Sequence, residues 1–251
     1  MHISFRASLP CWRAHVEISR ATGARARLSL SVSRFIGLAM PKRGLTPSCG
    51  DRVLDAAIDQ FGRHGICGAS TRAIAAAAGT AMSSITYHYG GKEGIYLAAA
   101  YHIAERCERV LAPTLERASL DGELDGEAAI EKIDELVVDL LHLMLDDQSA
   151  PWARFILREQ LEPTDAFDIL YSAVLERVGD RLIDVMAQLG RGLWSSTEIR
   201  LKAFTILSQV RMFRTAPEML QRMTGLDPTK SENADAIEQF VRRICRATLL
   251  A

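Results

Sequence analysis

The segment from Thr71 to Glu93, TRAIAAAAGTAMSSITYHYGGKE, constrains the fold of this chain more than any other stretch. It predicts two short helices joined by a turn at Gly79. Ser, Thr, Tyr and His side chains are left to face outward, as in a helix-turn-helix. The apolar positions with core-facing spacing are Ile74, Ala75, Ala78 and Ile85.

Helical periodicity continues on both sides of this segment. Between Pro47 and Gly65, apolar residues recur every three or four positions, which predicts a first helix that ends at the glycine. We expect Thr71 to be the N-cap of the second helix and the third helix to run from Met82 to Tyr89. After a glycine turn, a long fourth helix should begin at Lys92 and end between Pro113 and Ala118.

The rest of the chain is also helical in pattern, and no alternating strand pattern competes with it. The predicted fold class is therefore all-α, with an N-terminal three-helix helix-turn-helix domain joined by a long helix to a C-terminal helical domain for ligand binding and dimerisation. We place the boundaries at 1–45 for a basic extension, 46–95 for the DNA-binding domain and 96–251 for the C-terminal domain. The later helices are predicted over 127–146, 150–161, 165–190, 196–214, 216–224 and 232–249.

Positive charge is concentrated at the N-terminus. Residues 1–45 contain eight Arg or Lys and a single acid, Glu17, although the whole chain has a net charge of −1. We interpret residues 1–39 as a disordered or untranslated extension upstream of Met40. Its composition would also suit a transit peptide, and a flexible arm that contacts DNA phosphates or the minor groove is the functional alternative.

The predicted DNA reader itself is neutral, since residues 46–100 carry four basic and four acidic side chains. If this segment binds DNA, it must depend on a few placed cations, helix N-termini and backbone N–H groups. The dependence of affinity on salt should then be modest for each subunit.

Cysteine content and hydropathy restrict the compartment of the protein and the kinds of site that it can contain. The five cysteines are odd in number and lack paired spacing, which points away from disulfides and zinc and toward a reducing compartment. No apolar run approaches the roughly 20 residues of a membrane-spanning helix. We therefore expect a cytoplasmic protein without a metal, a cofactor or a membrane partner.

Two stretches resemble a known family. The pattern T-x-x-I-A-x-x-A-G at 71–79, followed by ITYHYGGKE from Ile85, resembles the DNA-binding domain of the TetR/AcrR family of one-ligand bacterial repressors, over about 45 residues from Arg52 to Tyr96. FILREQLEPTDAFDILY at 155–171 resembles the C-terminal domain of its CecR-like branch. The resemblance implies a homodimeric transcriptional regulator, a repressor that a small-molecule inducer releases from a palindromic double-stranded DNA operator.

Matched residue by residue, the resemblance also implies which side chains contact DNA. Arg72 could contact a guanine edge or remain a solvated or phosphate-binding side chain. Thr86 departs from the tyrosine common in the family, which moves more of the contact to Tyr87 and His88. Either aromatic side chain could instead be structural, with Tyr87 joining the third helix to the fourth. The implied reader residues are Arg72, Met82, Ser83, Ser84, Thr86, Tyr87 and His88, and Thr71 and Lys92 are expected to contact phosphates.

A small-molecule site in the C-terminal half requires an apolar cavity with a few convergent polar groups. Arg158 and Glu159 are notable because they lie in an apolar helix just before Pro163, where they either face a ligand or form a structural network. Most of the other candidates could equally be core residues. The candidates are Tyr101, His142, Met144, Trp152, Phe155, Arg158, Glu159, Phe167 and Tyr171.

We predict that the helices at 165–190 and 196–214 form a four-helix interface between subunits, although each could pack within its own subunit. The predicted interface residues are Leu170, Val174, Leu182, Val185, Leu189, Phe204, Leu207 and Val210.

No catalytic motif is present in the sequence, so we do not expect an enzyme. An all-helical adaptor without specific DNA binding is the main alternative to a transcriptional regulator.

Overall fold

A computed structural model describes residues 49–119, 122–190 and 192–250, and every regular element in those ranges is a helix. The predicted all-α class is confirmed. The basic extension lies outside the described residues, and the domain boundaries remain predictions. The first four helices are α1 Cys49–Gly68, α2 Thr71–Ala78, α3 Met82–Tyr89 and α4 Lys92–Arg117.

The first three helices share an apolar core that the sequence spacing predicts. Phe61 and Ile58 of α1 are at most 1% exposed and pack with the inward side chains of α2 and α3. Burial of such side chains contributes about 1.5–3 kcal/mol each. The four predicted core residues, Ile74, Ala75, Ala78 and Ile85, are all buried.

Glycines end these helices where the sequence indicates. Gly65 interrupts α1 with a φ of 68°, as predicted, and a further turn continues to Gly68. Gly79 has a φ of 64° and closes α2 in the left-handed conformation that glycine adopts without steric cost. The predicted N-cap of α2 is wrong by one residue: Ser70 has the extended backbone of a cap, and Thr71 is the first helical residue.

The C-terminal half is built around α5, whose buried side chains lie on most sides of the helix. Helices α8, α9 and α11 pack around it. Side chains of α4 join this core to that of α1–α3, so one apolar cluster extends through both halves. The remaining helices are α5 Gly126–Leu145, α6 Ala150–Leu161, α7 Asp165–Leu170, α8 Glu176–Gly190, α9 Ser196–Thr215, α10 Pro217–Thr224 and α11 Ser231–Leu250.

The helix predicted over 165–190 is not uniform. A π-helical segment, Tyr171–Leu175, separates α7 from α8. Such wider turns are absent from the 3.6-residue pattern on which the prediction rests, and they often occur at functional sites.

Candidate DNA-binding surface and effector groove

The outer face of α3 is exposed and carries most of the predicted reader residues. Tyr87 is 85% exposed and Met82 is 47% exposed, whereas Ile85 between them is buried. Ser83, Thr86 and His88 are also exposed, and Ser84 is half-buried. The exposure of Tyr87 rules out the alternative in which it joins α3 to α4 by packing in the core. Its ring instead contacts that of His88 edge to face, with centroids 5.0 Å apart.

The expected phosphate-binding residues lie at the starts of α2 and α4. Arg72 is exposed in the first turn of α2, next to the half-buried Thr71. Lys92 begins α4, and its Nζ donates a hydrogen bond to the carbonyl of Cys67 at 3.2 Å. This bond holds the Lys92 ammonium beside the end of α1, close to where the helix-turn-helix begins.

Among the described residues, the N-termini of α2, α3 and α4 lack side-chain caps. Their N-cap residues are Ser70, Ala81 and Gly91, and among the described residues the Ser70 side chain accepts no hydrogen bond from its helix. Alanine and glycine have no side chain that could do so. The first backbone N–H groups of these helices are therefore free of side-chain acceptors, and such groups favour phosphate.

Gly94 fixes the angle between α3 and α4, a role that the sequence prediction missed. A Cβ atom at this position would lie 1.7 Å from the carbonyl oxygen of Tyr89. Only glycine allows the first turn of α4 to approach the end of α3 so closely. A third glycine, three residues after the pair Gly90 and Gly91 and five residues after the end of α3, is the signal that could have indicated it.

Three of the predicted ligand-binding residues lie instead at the junction between the two halves. Phe155 is 1% exposed and packs on Phe61 and Tyr96, with ring centroids 6.5 and 4.8 Å away. Arg158 donates to the carbonyl of Arg63 at 3.2 Å. For Arg158 and Glu159 the arrangement is that of the structural alternative.

The Glu159 carboxylate is 1% exposed and has defined donors. The Tyr96 hydroxyl donates to it, and so do the backbone N–H and the hydroxyl of Thr164, at 3.0 and 2.9 Å. Burial and the neighbouring Glu159 carboxylate raise the pKa of Tyr96 above its usual range. The phenol therefore stays protonated and remains a donor.

The other predicted ligand residues are scattered over several surfaces. Trp152 lies under the Arg106 guanidinium, whose carbon is 5.5 Å from the ring centroid. The rings of Phe167 and Tyr171 are 5.7 Å apart, and Tyr101 is 55% exposed. The half-buried Met144 offers its carbonyl to Arg214. These residues do not converge on one cavity, because helical spacing does not tell which faces of different helices meet.

An open groove of about 400 Å³ lies between α4 and α5. His142 is the one predicted ligand residue that lines it, and this side chain contacts Glu238 at 3.0 Å. Thr114 donates to Asp139 at 2.6 Å, and Arg117 pairs with the same carboxylate. The lining residues are Val110, Leu111, Pro113, Thr114, Arg117, Asp139, His142, Leu143 and Asp146. This combination of apolar and polar lining side chains suits a small amphipathic molecule.

The predicted dimer contacts require a correction. Five of the eight residues are buried within their own subunit, because these helices pack their apolar faces on α5 or α4. Leu189 and Leu207 are half-buried, and Phe204 is 64% exposed. The buried residues are Leu170, Val174, Leu182, Val185 and Val210.

Within the described residues, no helix has the length and apolar character needed to cross a bilayer. In the same ranges, no group of three or more His, Cys, Asp or Glu side chains is arranged to hold a metal ion.

Two family matches divide the chain as the folded halves do. Residues 53–99 match the family described as bacterial regulatory proteins, tetR family. Residues 129–251 match the C-terminal domain of the HTH-type transcriptional dual regulator CecR. The first match spans most of α1, the whole of α2 and α3 and the start of α4, and the second begins in α5.

Individual relatives support the same grouping. The HTH-type transcriptional dual regulator CecR of Shigella flexneri is 30% identical over 193 residues, 76% of this chain and 86% of that protein. The HTH-type transcriptional regulatory protein RaaS of Mycobacterium tuberculosis is 38% identical over 93 residues, 37% of this chain and 43% of that protein. The crystal structure of AibR in complex with isovaleryl coenzyme A and operator DNA has a TM-score of 0.61 at 14% identity, covering 78% of this chain and 97% of that one. At that identity, the likeness to AibR concerns the fold.

Proposed function

Because this chain belongs to the TetR family of bacterial transcriptional regulators and has a CecR-type C-terminal domain, we propose that it is a ligand-responsive repressor. It binds a palindromic operator as a homodimer, and a small molecule releases it. Binding to chromosomal DNA places its action in the cytoplasm. The observation that carries the proposal is the exposed outer face of α3, with Tyr87 85% exposed at its centre.

Sequence reading is assigned to the side chains of α3 and to Arg72. The serine hydroxyls and Thr86 are short, so they require close approach to the bases, whereas Tyr87 and Arg72 supply reach. Thr71, Lys92 and the uncapped helix starts hold phosphates and so fix the position of α3 in the major groove.

Dimerisation is assigned to the outer face of α9. Leu201, Phe204 and Met212 are 61%, 64% and 45% exposed, and their spacing places them along one side of the helix. A row of exposed apolar side chains on one helix is typical of a face that packs against another chain. Two copies joined there would present two recognition helices to the two half-sites of an operator.

The groove between α4 and α5 is the proposed effector site. Its volume is within the range of small-molecule sites, and it combines apolar walls with Asp139, Arg117 and His142. Isovaleryl coenzyme A is a rational first probe, because AibR binds it on the same fold. To release DNA, the effector must bind the DNA-free state more tightly than the DNA-bound state.

DNA binding is tested with the full chain and two fragments of equal length: the region upstream of its own gene and a random sequence. We expect a preference of at least about 10³-fold for the upstream region, as is usual for specific regulators. Equal affinity for both fragments would refute the regulator and favour the adaptor. Turnover of a substrate would favour the enzyme instead.

Induction is tested by repeating the titration with a compound that calorimetry has shown to bind, beginning with isovaleryl coenzyme A and free coenzyme A. Release requires a fall in affinity for the upstream fragment when the compound is saturating. Unchanged affinity with the compound bound would refute induction by that compound, while the DNA-binding assignment would stand.

A further inference from the structure

The groove between α4 and α5 is formed by the last turns of both helices. Its lining belongs to residues 110–117 of α4 and 139–146 of α5. Lys132 binds the carbonyl of Arg117 at 2.6 Å, so the first half of α5 lies beside the end of α4 and the two helices run in opposite directions. The end of α5 is therefore opposite Val110, and the groove extends over about 10 Å of helix.

The end of the groove at Arg117 is neutral within itself. Thr114 donates to the Asp139 carboxylate at 2.6 Å, and the Arg117 guanidinium pairs with the same carboxylate. An anionic ligand would have to compete with Asp139 for this guanidinium. The arginine that lines the groove therefore offers little to an acid.

The imidazole of His142 is bound to a carboxylate from α11. Its Nε2 is 3.0 Å from Glu238, and Arg242 binds the same carboxylate at 2.9 Å. Partial burial acts to raise the pKa of Glu238, but Arg242 and His142 outweigh it and lower the pKa below its usual value. Glu238 therefore stays ionised and neutralises any positive charge on His142.

The end of the groove at Asp146 has an excess of negative charge. One oxygen of the Asp146 carboxylate caps the following turn at 3.0 Å, and within the described residues this carboxylate accepts no other hydrogen bond. Arg214 binds the Asp146 carbonyl, and its positive charge acts on the carboxylates of both Asp146 and Asp147. Arg154 lies near Arg214 but is paired with Asp59. One cation thus faces two carboxylates.

The rest of the lining is apolar. Val110 is 49% exposed, and beside it lie Pro113 and the buried side chains of Leu111 and Leu143. The volume of about 400 Å³ is large enough for a small ligand. A molecule with an apolar chain and one positive group would bury the chain on these walls and place the charge at Asp146.

We propose that the effector of this groove is a cationic amphiphile, an alkylammonium compound whose charged group binds Asp146 and whose chain lies on Val110, Leu111 and Leu143. This inference rests on the proposed function, since it names the chemical class of the molecule that the groove accepts. Acids and phosphorylated compounds are selected against, because each cation of the lining already faces a carboxylate of the protein.

Calorimetric titration of the full chain without DNA compares octylamine, octanol and octanoate, which share a chain length and differ in charge. Octylamine is a cation at neutral pH and should bind at least about tenfold more tightly than octanoate, with octanol between them. Hexylamine should bind about 15-fold more weakly than octylamine, since each buried methylene contributes about fourfold. Isovaleryl coenzyme A carries phosphates and should not displace octylamine.

Three variants locate the charge. Asp146→Asn retains an oxygen for the cap and should lower the affinity for octylamine about five- to tenfold without changing that for octanol. Asp147→Asn is the matched control, because it removes the same charge from the next residue, which does not line the groove. Its effect should be less than about twofold. Val110→Lys places a cation on an exposed wall position and should weaken octylamine while allowing octanoate to bind.

Several results would overturn the proposal. Octanol or octanoate could bind as tightly as octylamine, or the two Asn variants could lose affinity equally, and either result would show that Asp146 does not select a cation. Displacement of octylamine by isovaleryl coenzyme A would show that the groove accepts anions. Absence of octylamine binding up to about 1 mM would exclude this class of ligand.

Titration of the upstream DNA fragment with saturating octylamine then separates this inference from the proposed function. A fall in DNA affinity that Asp146→Asn reduces would support the groove as the effector site. If octylamine binds through Asp146 and DNA affinity is unchanged, the charge selectivity stands and the role of the groove in release is refuted. If the wild type shows no preference for the upstream fragment, the regulator is refuted, whereas the calorimetric comparison of charges is unaffected.

Discussion

The starts of α2, α3 and α4 in the DNA-binding half differ from the starts of three helices in the C-terminal half. Helices α5, α7 and α9 begin with Asp125, Thr164 and Ser195, whose side chains accept backbone hydrogen bonds at 2.8, 3.2 and 3.2 Å. In the described part of the chain, α2, α3 and α4 have no such side-chain bond at their N-cap residues. A cap usually contributes about 1 kcal/mol, so α2, α3 and α4 forgo stability that α5, α7 and α9 have. Among the described residues, α6 and α10 of the C-terminal half also lack a side-chain cap and carry a proline in their first turn instead.

The difference indicates what each half is built to bind. Uncapped N–H groups are available to an external acceptor, and the proposed acceptor is a DNA phosphate. Helices α5, α7 and α9 of the C-terminal half bind their first N–H groups with their own N-cap side chains, and polar side chains of this half line the groove between α4 and α5. The DNA-binding half therefore depends on tight backbone turns and on contacts with α4 and α6 for its rigidity.

The largest expected effect tests the dependence on tight turns. Gly94→Ala would place a Cβ 1.7 Å from the Tyr89 carbonyl oxygen, so the α3–α4 turn must shift. We expect a loss of about 3 kcal/mol in the free energy of unfolding, measured by urea denaturation, together with loss of DNA binding. Gly179→Ala in α8 is the control, because a Cβ there meets no atom within 4 Å. It should stabilise the protein by about 0.5–1 kcal/mol, and equal effects at the two sites would contradict the geometry.

The second prediction separates base contacts from phosphate contacts on the exposed surface. Tyr87→Ala and Arg72→Ala should each lower affinity for the upstream fragment by about 1–3 kcal/mol and change affinity for random DNA little. Lys92→Ala should weaken binding to both fragments and reduce the salt slope by about 1. Titrations at several salt concentrations measure both quantities. If Tyr87→Ala weakened binding to the two fragments equally, Tyr87 would contact the DNA sugar-phosphate backbone and not the base edges.

The third prediction applies the same substitution to the two kinds of helix start. Ser195→Ala removes the acceptor for the Glu198 N–H in the C-terminal half and should cost about 1 kcal/mol of stability. Ser70→Ala removes no such bond and should change stability by less than about 0.5 kcal/mol. Thermal and urea unfolding of the free protein provide the comparison. Equal losses would mean that the start of α2 is capped in solution.

The smallest effect concerns the contact between α1 and α4. Partial burial acts to raise the pKa of Asp55, but the adjacent His102 and Arg106 outweigh it and lower the pKa below its usual value. Arg106 binds this carboxylate at 2.6 Å. The stabilisation is therefore complete above the unfolded pKa of about 3.9 and is lost as pH falls through the folded value.

Asp55→Asn tests this linkage. Between about pH 5 and pH 2, the wild type should lose more stability than the variant, by less than about 1 kcal/mol because the pair is partly exposed. Urea midpoints at each pH measure the difference. Parallel curves for the two proteins would show that the Asp55 carboxylate contributes nothing to the acid sensitivity.

The local sequence pattern was sufficient to predict the helices and the face of α3 that is exposed. Apolar spacing placed Ile74 and Ile85 in the core and left Tyr87 outside, and these features depend only on the 3.6-residue repeat. The same reasoning did not locate the groove between α4 and α5, the proposed effector site. It also gave dimer contacts such as Leu182 and Val185 that are buried within the subunit, because an apolar stripe predicts burial without identifying the partner.

The sequence alone determined the all-helical class, the order of the helices, and the helix-turn-helix with its family resemblance. Each of these features is encoded within a few helical turns of the chain. Tertiary structure alone decided that Arg158 and Glu159 face α1 and α4 and that the groove lies between α4 and α5. These features depend on which helix faces meet, and residues far apart in sequence determine that together. Helical periodicity gives each face its polarity, but only the packed chain gives each face its neighbour.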